Sequence, residues 1–290
     1  DAAKELGHPI VFDLNGMNVN GGFANVDLTT DADGWRVGTF EAFCKNPDGT
    51  IKPNINALTY AHVERLLIEK DKDASHPSIS GVIVRRFGER FIFRAKNEVV
   101  LSAGSIGSPQ ILMLSGIGPK SHLQSLGIPA IVDLPVGDNL QDHVVAPLTV
   151  RTGQAITSEL FDVLNPINWI KLLLNKGGKL FGTTVSSVGM FRSPLKKSAD
   201  DERPDLQFHF SSAWSLDIYD YKQMPLRDGF TCLPTLLKPT SRGYVGLNSA
   251  SPWDAPLIDP QYLTDAEGKD LATLVRGVKM AHQILLAPAF

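Results

Sequence analysis

The 290 residues are 43% hydrophobic and 20% charged, with a formal net charge of −3. Those are the proportions of a globular chain long enough for one large domain or two ordinary ones. The charge gives no electrostatic footprint for nucleic acid or a polybasic membrane contact, and no apolar run approaches the roughly 18 residues of a membrane span. Cys44 and Cys232 are too few for a disulfide scaffold and lack metal-site spacing; they read as buried thiols or, in a secreted protein, as a pair.

Residues 1–6 read as the end of a helix, with Gly7 as its stop. Residues 8–34, rich in Gly, Asn and Asp with turn signals at Asn15-Gly16 and Gly21-Gly22, are expected to be irregular. Residues 35–43 predict one or two helical turns. Residues 54–69 predict a strand bent near Ala61, and three more strands follow over 79–84, 90–94 and 98–101. Gly88-Glu89 and Lys96-Asn97 are the connecting turns. Val99-Val100-Leu101 is a short apolar run of the kind that makes a buried strand. Gly104, Gly107 and Ser108-Pro109 then turn the chain and start a helix, because Pro suits the first helical position and Ser the cap before it. Ile111, Leu112, Met113 and Leu114 make that helix apolar almost all round, which predicts burial, and Ser115-Gly116-Ile117-Gly118-Pro119 ends it. A strand feeding a helix in this way points free amide N–H groups outward, a place suited to a phosphate or the edge of a nucleotide.

Residues 162–173 predict a helix interrupted by Pro166, residues 176–179 a loop, and residues 185–191 a short strand. Residues 205–210 (DLQFHF) alternate strictly, with Leu206, Phe208 and Phe210 on one face and Gln207 and His209 on the other. Residues 211–230 read as a long surface excursion. Residues 231–237 and 244–247 predict strands of one sheet, residues 252–262 a loop, and residues 265–286 a long amphipathic helix.

The run over 104–118, GSIGSPQILMLSGIG, resembles the second signature of the glucose–methanol–choline (GMC) family of FAD-dependent oxidoreductases. The family pattern continues in register through Gly127-Ile128-Pro129, Leu134-Pro135-Val136-Gly137 and Asn139-Leu140-Gln141-Asp142-His143. Arg36, Thr39 and Ala42-Phe43 fill family positions upstream, with Phe40-Glu41 between them. Downstream, residues 204–210, 238–243, 256–260 and 262–264 follow the family's substrate-domain pattern in order. The chain looks most similar to the animal glucose dehydrogenase and choline dehydrogenase branches. The resemblance implies an α+β or α/β fold: a connecting segment over 1–52, part of a Rossmann-like FAD-binding domain with a β-meander over 53–148, and a substrate domain over 149–290 with an antiparallel sheet covered by helices.

By the same resemblance, the strand around Val63 passes the adenine of FAD, Ala103 and Gly104 come close to the cofactor, and Asn139, Asp142 and His143 lie on its flavin side. Gln207 or His209 would face substrate. Each also has a plain structural reading: a core valine, a tight strand-to-helix turn, a satisfied loop network, a strand histidine. The Gly116–Ser121 stretch only half-imitates a dinucleotide fingerprint, because it ends a helix instead of following a strand. His8, His62, His76, His122 and His282 read as surface or packing residues, no pair has zinc-ligand spacing, and no Gly-x-Ser-x-Gly elbow supports a hydrolase.

The implied reaction is hydride transfer from a primary or secondary alcohol, a sugar or choline among them, to FAD, with oxygen, a quinone or another acceptor taking the electrons. The family's Gly-x-Gly-x-x-Gly turn would lie before Asp1, and its catalytic His with a second His or Asn beyond Phe290. The chain is therefore expected to be an internal fragment, inactive alone and holding no catalytic residue. The rival expectation is a GMC-fold protein that has lost flavin or base and serves in binding or structure. Secreted and mitochondrial locations both fit the sequence.

Overall fold

A computed structural model describes residues 1–16, 21–69, 77–151, 164–174, 185–193, 203–212 and 229–289. In chain order the elements begin with α1 (Ala2–Glu5), β1 (Gly22–Asn25), α2 (Thr39–Cys44), β2 (His62–Glu69), β3 (Ser78–Arg86), β4 (Glu89–Arg94) and α3 (Gly104–Leu114). There follow β5 (Ile117–Gly118), α4 (Lys120–Ser125), β6 (Val132–Asp133), β7 (Asp138–Leu140), β8 (Val144–Val145) and β9 (Leu148–Arg151). The last are α5 (Pro166–Leu173), β10 (Val185–Phe191), β11 (Leu206–Ser211), β12 (Gly229–Leu236), β13 (Gly243–Gly246), β14 (Leu257–Asp259) and α6 (Lys269–Leu285). The fold is mixed α and β with antiparallel sheets, and it divides into two units: Asp1–Lys52 with His143–Thr240 and Asp265–Phe290, and Pro53–Asp142 with Ser241–Thr264.

The first unit is organised by a six-stranded antiparallel sheet in the order β1-β10-β11-β12-β8, with β9 also paired to β12. The strict alternation over 205–210 sends Leu206 and Phe208 into the core, where they are 3% and 0% exposed. Phe23 meets Phe191, Phe208 and Phe210 there, with ring centroids 5.0, 6.2 and 5.7 Å apart. Ala281, Ile284 and Leu285 of α6 close the same cluster. The start of α6 is fastened by Asp265, which accepts from the Lys269 N–H at 2.6 Å, and by buried Asp270, which accepts from the Thr240 N–H and hydroxyl, each at 2.7 Å. Cys232 lies fully buried in this core, and burial pushes its thiol far above the usual range; neither it nor Cys44 is in a disulfide.

In the second unit, β2, β3 and β4 form an antiparallel meander and β14, β13 and β7 a second small sheet, while β5 and β6 pair in parallel. Met113, Leu123, Ile128 and Leu247 make its apolar centre. Within the meander Glu64 is only 4% exposed. Its burial would raise the carboxyl pKa, but the Arg85 and Arg90 guanidinium groups at 2.7 and 2.9 Å outweigh that and hold it low.

Several local expectations give way to longer-range pairing. Residues 22–25, expected to be irregular, form β1, because Phe23 is buried at 5% exposure and its backbone pairs with β10, far along the chain. Residues 98–101 pair with no strand among the described residues, and Val100 is 75% exposed; an apolar run becomes a strand only where a neighbour receives its hydrogen bonds. The strand predicted from residue 54 begins at His62, after Tyr60 at φ +54°, and the first hairpin turn centres on Phe87-Gly88, both at positive φ. Helix α3 begins at Gly104, so Pro109 lies inside it, and the Ser108 hydroxyl accepts from the Ala103 N–H at 3.1 Å. Leu164 is helical, Asn165 breaks the helix, and Pro166 opens α5 behind that Asn165 cap, so the interruption falls where Pro166 predicts it. The expected 176–179 loop and most of the 211–230 excursion lie outside the described residues.

The expected sheet of 231–237 with 244–247 is also revised. Strand β13 pairs instead with β14, which sits inside the predicted 252–262 loop, and with β7. Gly137 permits this: its φ is +93°, and an added Cβ would sit 2.0 Å from the Val245 carbonyl oxygen, an atom that cannot move aside without breaking β13. Replacing Gly137 with Ala should cost about 2–4 kcal/mol of stability, read as a lowered denaturant midpoint. A midpoint unchanged from wild type would show that the 137–245 contact does not hold the small sheet.

Candidate functional site

The site is built around α3. Gly104, at φ +82°, turns the chain into the helix, and an added Cβ would meet nothing within 4 Å. The requirement for glycine here is thus conformational, and the space beside it is open. No side chain caps the N-terminus of α3 and its first turn carries no acidic residue, so its leading N–H groups remain available as donors. At the other end, buried Ser115 accepts the Leu66 N–H at 2.8 Å and donates to the Ile111 carbonyl at 2.5 Å, which fixes the helix against β2.

Two cavities flank this helix within the one unit. The first, about 290 Å³, is walled by Ala103, Gly107, Gln110, Ile111 and Leu114 from one helical stripe, by Ala61, His62 and Val63 from the start of β2, and by Pro252. Its lining is small and apolar apart from His62 and Gln110. Strand β2 pairs only with β3 among the described residues, so its outer edge presents backbone donors and acceptors. His62 Nε2 lies 3.1 Å from the Pro252 carbonyl, so this nitrogen carries a proton and donates. The His62 ring stacks on Trp253 with centroids 4.5 Å apart, and Gln110 Nε2 donates to the Asp254 carbonyl at 3.1 Å. The 252–254 loop is therefore held by two residues that also line the cavity.

The second cavity, about 490 Å³, lies along the opposite stripe, between Ser105, Ser108, Pro109 and Leu112 and the 136–141 segment with Val245. Asn139 is on this wall at φ +66°, a left-handed conformation that Asn tolerates better than most residues. Asp142 follows, and its Oδ2 accepts from the Tyr262 hydroxyl at 2.5 Å. That bond, then burial, then the Asp142 charge push the Tyr262 pKa up to about 12.

The structure thus brings Val63 and Ala103 to one cavity, leaves Gly104 between the two in sequence, and sets Asn139 on the second. Asp142 stands beside Tyr262. His143 opens a segment of the other unit, where Gln207 and His209 lie half-buried on β11, with His209 opposite Val188 and Leu233. Burial, and then the charge of His143, hold the His209 imidazole below its ordinary pKa. That unit has a cavity of its own, about 790 Å³, against Phe23, Phe210 and Phe230; none of the predicted residues lines it. Among the described residues no cluster of ligands fit for a metal occurs, and no helix is long and apolar enough to cross a membrane. Sequence reasoning missed His62, Gln110, Trp253 and Tyr262, whose partners are distant in the chain and leave no local signal.

Residues 1–145 and 239–289 match the two sequence profiles described as GMC oxidoreductase. The alcohol dehydrogenase (acceptor) of Pseudomonas putida is 34% identical over 96% of this chain and 48% of its own length. The glucose dehydrogenase (FAD, quinone) of Drosophila melanogaster is 34% identical over 98% of this chain and 44% of its own length. A solved structure of formate oxidase from Aspergillus oryzae superposes with a TM-score of 0.83 at 27% identity, covering all of this chain and 52% of that one. The chain spans about half the length of the curated relatives it matches.

Two outcomes test the geometry. Ser115→Ala leaves the buried Leu66 N–H without its acceptor, and should lower stability by about 1–3 kcal/mol and speed exchange of that amide; an unchanged exchange rate would show that water or another group replaces the hydroxyl. His209 gives a pH signature. With a folded pKa below the ordinary 6.5, the unfolded chain binds the proton more tightly. Stability is therefore full above pH 6.5 and falls as the pH drops through the folded value. His209→Gln should flatten that acid-side fall in a pH series of thermal melts, and superimposable curves for the two proteins would remove His209 from the account.

Proposed function

We propose that this chain, which belongs to the GMC oxidoreductase family, forms the inner part of a flavoenzyme that oxidises an alcohol to its carbonyl compound. The unit of Pro53–Asp142 with Ser241–Thr264 is read as part of the FAD-binding side, and the sheet unit with Gln207 and His209 as the substrate side. The observation that carries the reading is the 290 Å³ cavity, where Val63 and Ala103, both cofactor neighbours by the family resemblance, face the same space. Its chemistry fits the adenine end of FAD: largely apolar, with small side chains, and bordered by the start of β2, which pairs only with β3 among the described residues and can offer backbone groups to ring heteroatoms. The uncapped start of α3 fits an electron-rich group.

When bound, FAD supplies the two-electron acceptor for hydride from the alcohol carbon. The part of this chain is to bind and orient: Val63 and Ala103 along the ring face, Gly104 by the conformation that frees the helix amides, Asn139 and Asp142 with neighbouring His143 on the flavin side. Gln207 and His209 are read as polar groups toward substrate. The base that takes the hydroxyl proton is assigned to none of residues 1–290. The substrate class is a small primary or secondary alcohol, a sugar or choline included, with a quinone, oxygen or another acceptor reoxidising the cofactor.

The test uses the polypeptide with whatever sequence its source encodes on either side. It should purify yellow, with flavin absorbance that bleaches under anaerobic conditions on addition of one member of an alcohol panel. Ala103→Trp, which fills the first cavity, should reduce flavin content about tenfold. A colourless protein that releases no flavin on denaturation would leave only the fold, in a binding or structural role. Flavin that no alcohol bleaches would keep the cofactor and remove the oxidation.

A further inference from the structure

We infer that Tyr262 is a positioning residue for the cofactor site: its hydroxyl holds Asp142, and through it the 139–142 turn, in the form that borders the cavity along Ser105 and Ser108. The inference rests on the reading that this unit holds FAD. Tyr262 and Asp142 are 120 residues apart in sequence and 2.5 Å apart at the bond, so the contact joins two loops that no local signal connects.

Backbone strain is concentrated at these same two loops. Five non-glycine residues have positive φ among the described residues: Tyr60, Phe87, Asn139, Gln261 and Leu263. Gln261 at +49° and Leu263 at +58° stand on either side of Tyr262, and Asn139 at +66° lies in β7, three residues before the Asp142 that Tyr262 reaches. Such conformations persist where the surroundings over-determine them, and they cluster at ligand clamps. Here the surroundings are visible: Gln261 N–H donates to Asp259 at 3.1 Å, Thr264 Oγ1 donates to the Gln261 carbonyl at 2.7 Å, and Thr264 N–H donates to Ser241 Oγ at 3.0 Å. This network fixes the 261–264 backbone without using the Tyr262 side chain.

The side chain itself is 46% exposed, and a hydrogen bond that water can replace adds little to stability. A strained backbone that aims an exposed hydroxyl at one carboxylate is better explained by the position it gives the carboxylate. The hydrogen bond to Asp142, then burial, then the Asp142 charge push the phenol pKa up to about 12, so Tyr262 remains a donor throughout the neutral range. Asn139, Leu140 and Gln141, which run directly into Asp142, all lie on the cavity wall.

The experiment compares Tyr262→Phe, Asp142→Ala and the double variant in the full flavoprotein, reading flavin dissociation constant, the visible absorbance and circular dichroism of bound flavin, and thermal unfolding. Tyr262→Phe should weaken flavin binding about tenfold and alter the flavin band shape, with little change in melting temperature. Asp142→Ala, which removes the acceptor, should do the same, and the double variant should be no worse than either, because both break one coupled pair. A lowered melting temperature with wild-type flavin affinity and spectrum would make Tyr262 a structural tie and overturn the inference, as would additive single effects. A wild-type protein without flavin would instead overturn the cofactor reading, and this inference with it.

Discussion

The unit of Pro53–Asp142 with Ser241–Thr264 depends on one buried hydroxyl. Ser115 sits at the C-terminal cap of α3, where helix carbonyls run out of partners, and opposite the outer edge of β2, where strand amides do. By accepting from the Leu66 N–H and donating to the Ile111 carbonyl, it satisfies both sides. A helix is a stiff rod with about 1.5 Å rise per residue, so pinning one end against the strand determines where the other end lies. The stripe of Ala103, Gly107, Gln110, Ile111 and Leu114 then runs beside the start of β2, and the gap between them is the first cavity. Two rigid elements joined at one end leave space at the other.

The second cavity has a different origin. It lies where α3 faces a loop held by β7 and β13, and that loop has its course because Gly137 lets two backbones approach within the space of a Cβ. One helix therefore carries two kinds of wall. On one side it faces a strand edge and small side chains; on the other, a turn with Asn139 in a left-handed conformation. The first wall is built by regular structure, and it stays open because the residues on it, Ala103 and Gly107 among them, are small. The second relies on particular residues in uncommon conformations, where a change of one residue alters the surface presented to a ligand.

The sequence was legible where its signals are local. The strict alternation over 205–210 marked β11 and its buried face, and the Ser115-Gly116 stop marked the end of α3. The stretch from Gly104 through His143 carried the family, and with it Val63 and Ala103, which prove to share a cavity. Illegible were features whose cause lies far off in the chain. Phe23 makes a strand of a Gly- and Asn-rich segment because β10 receives its backbone. Strand β13 belongs with β14 and β7 because of Gly137, and not with the nearest apolar strand in sequence. His62 reads as a surface or packing residue and no more, because a histidine shows nothing in sequence of the carbonyl it will bond or the tryptophan it will stack on. Ser108-Pro109 misled for a related reason. The motif has the look of a helix start, yet the positive φ of Gly104 had already begun the helix.

A site made mainly of backbone and small residues has a consequence for where specificity resides. Val63, Ala103, Gly104 and Gly107 can accept a flat ring and the atoms at its edge, but they offer few side-chain groups that distinguish one alcohol from another. The polar groups that can discriminate stand elsewhere: Asn139 and Asp142 on strained or tethered turns of one unit, and Gln207 and His209 on a strand of the other. Of these, His209 has its pKa lowered by burial and then by the charge of His143, which favours the neutral imidazole and a hydrogen bond to an uncharged hydroxyl over a partner carboxylate. On the proposed reading, cofactor retention would follow from the fold, while choice of substrate would follow from a few polar side chains carried on strand β11 and on the 139–142 segment.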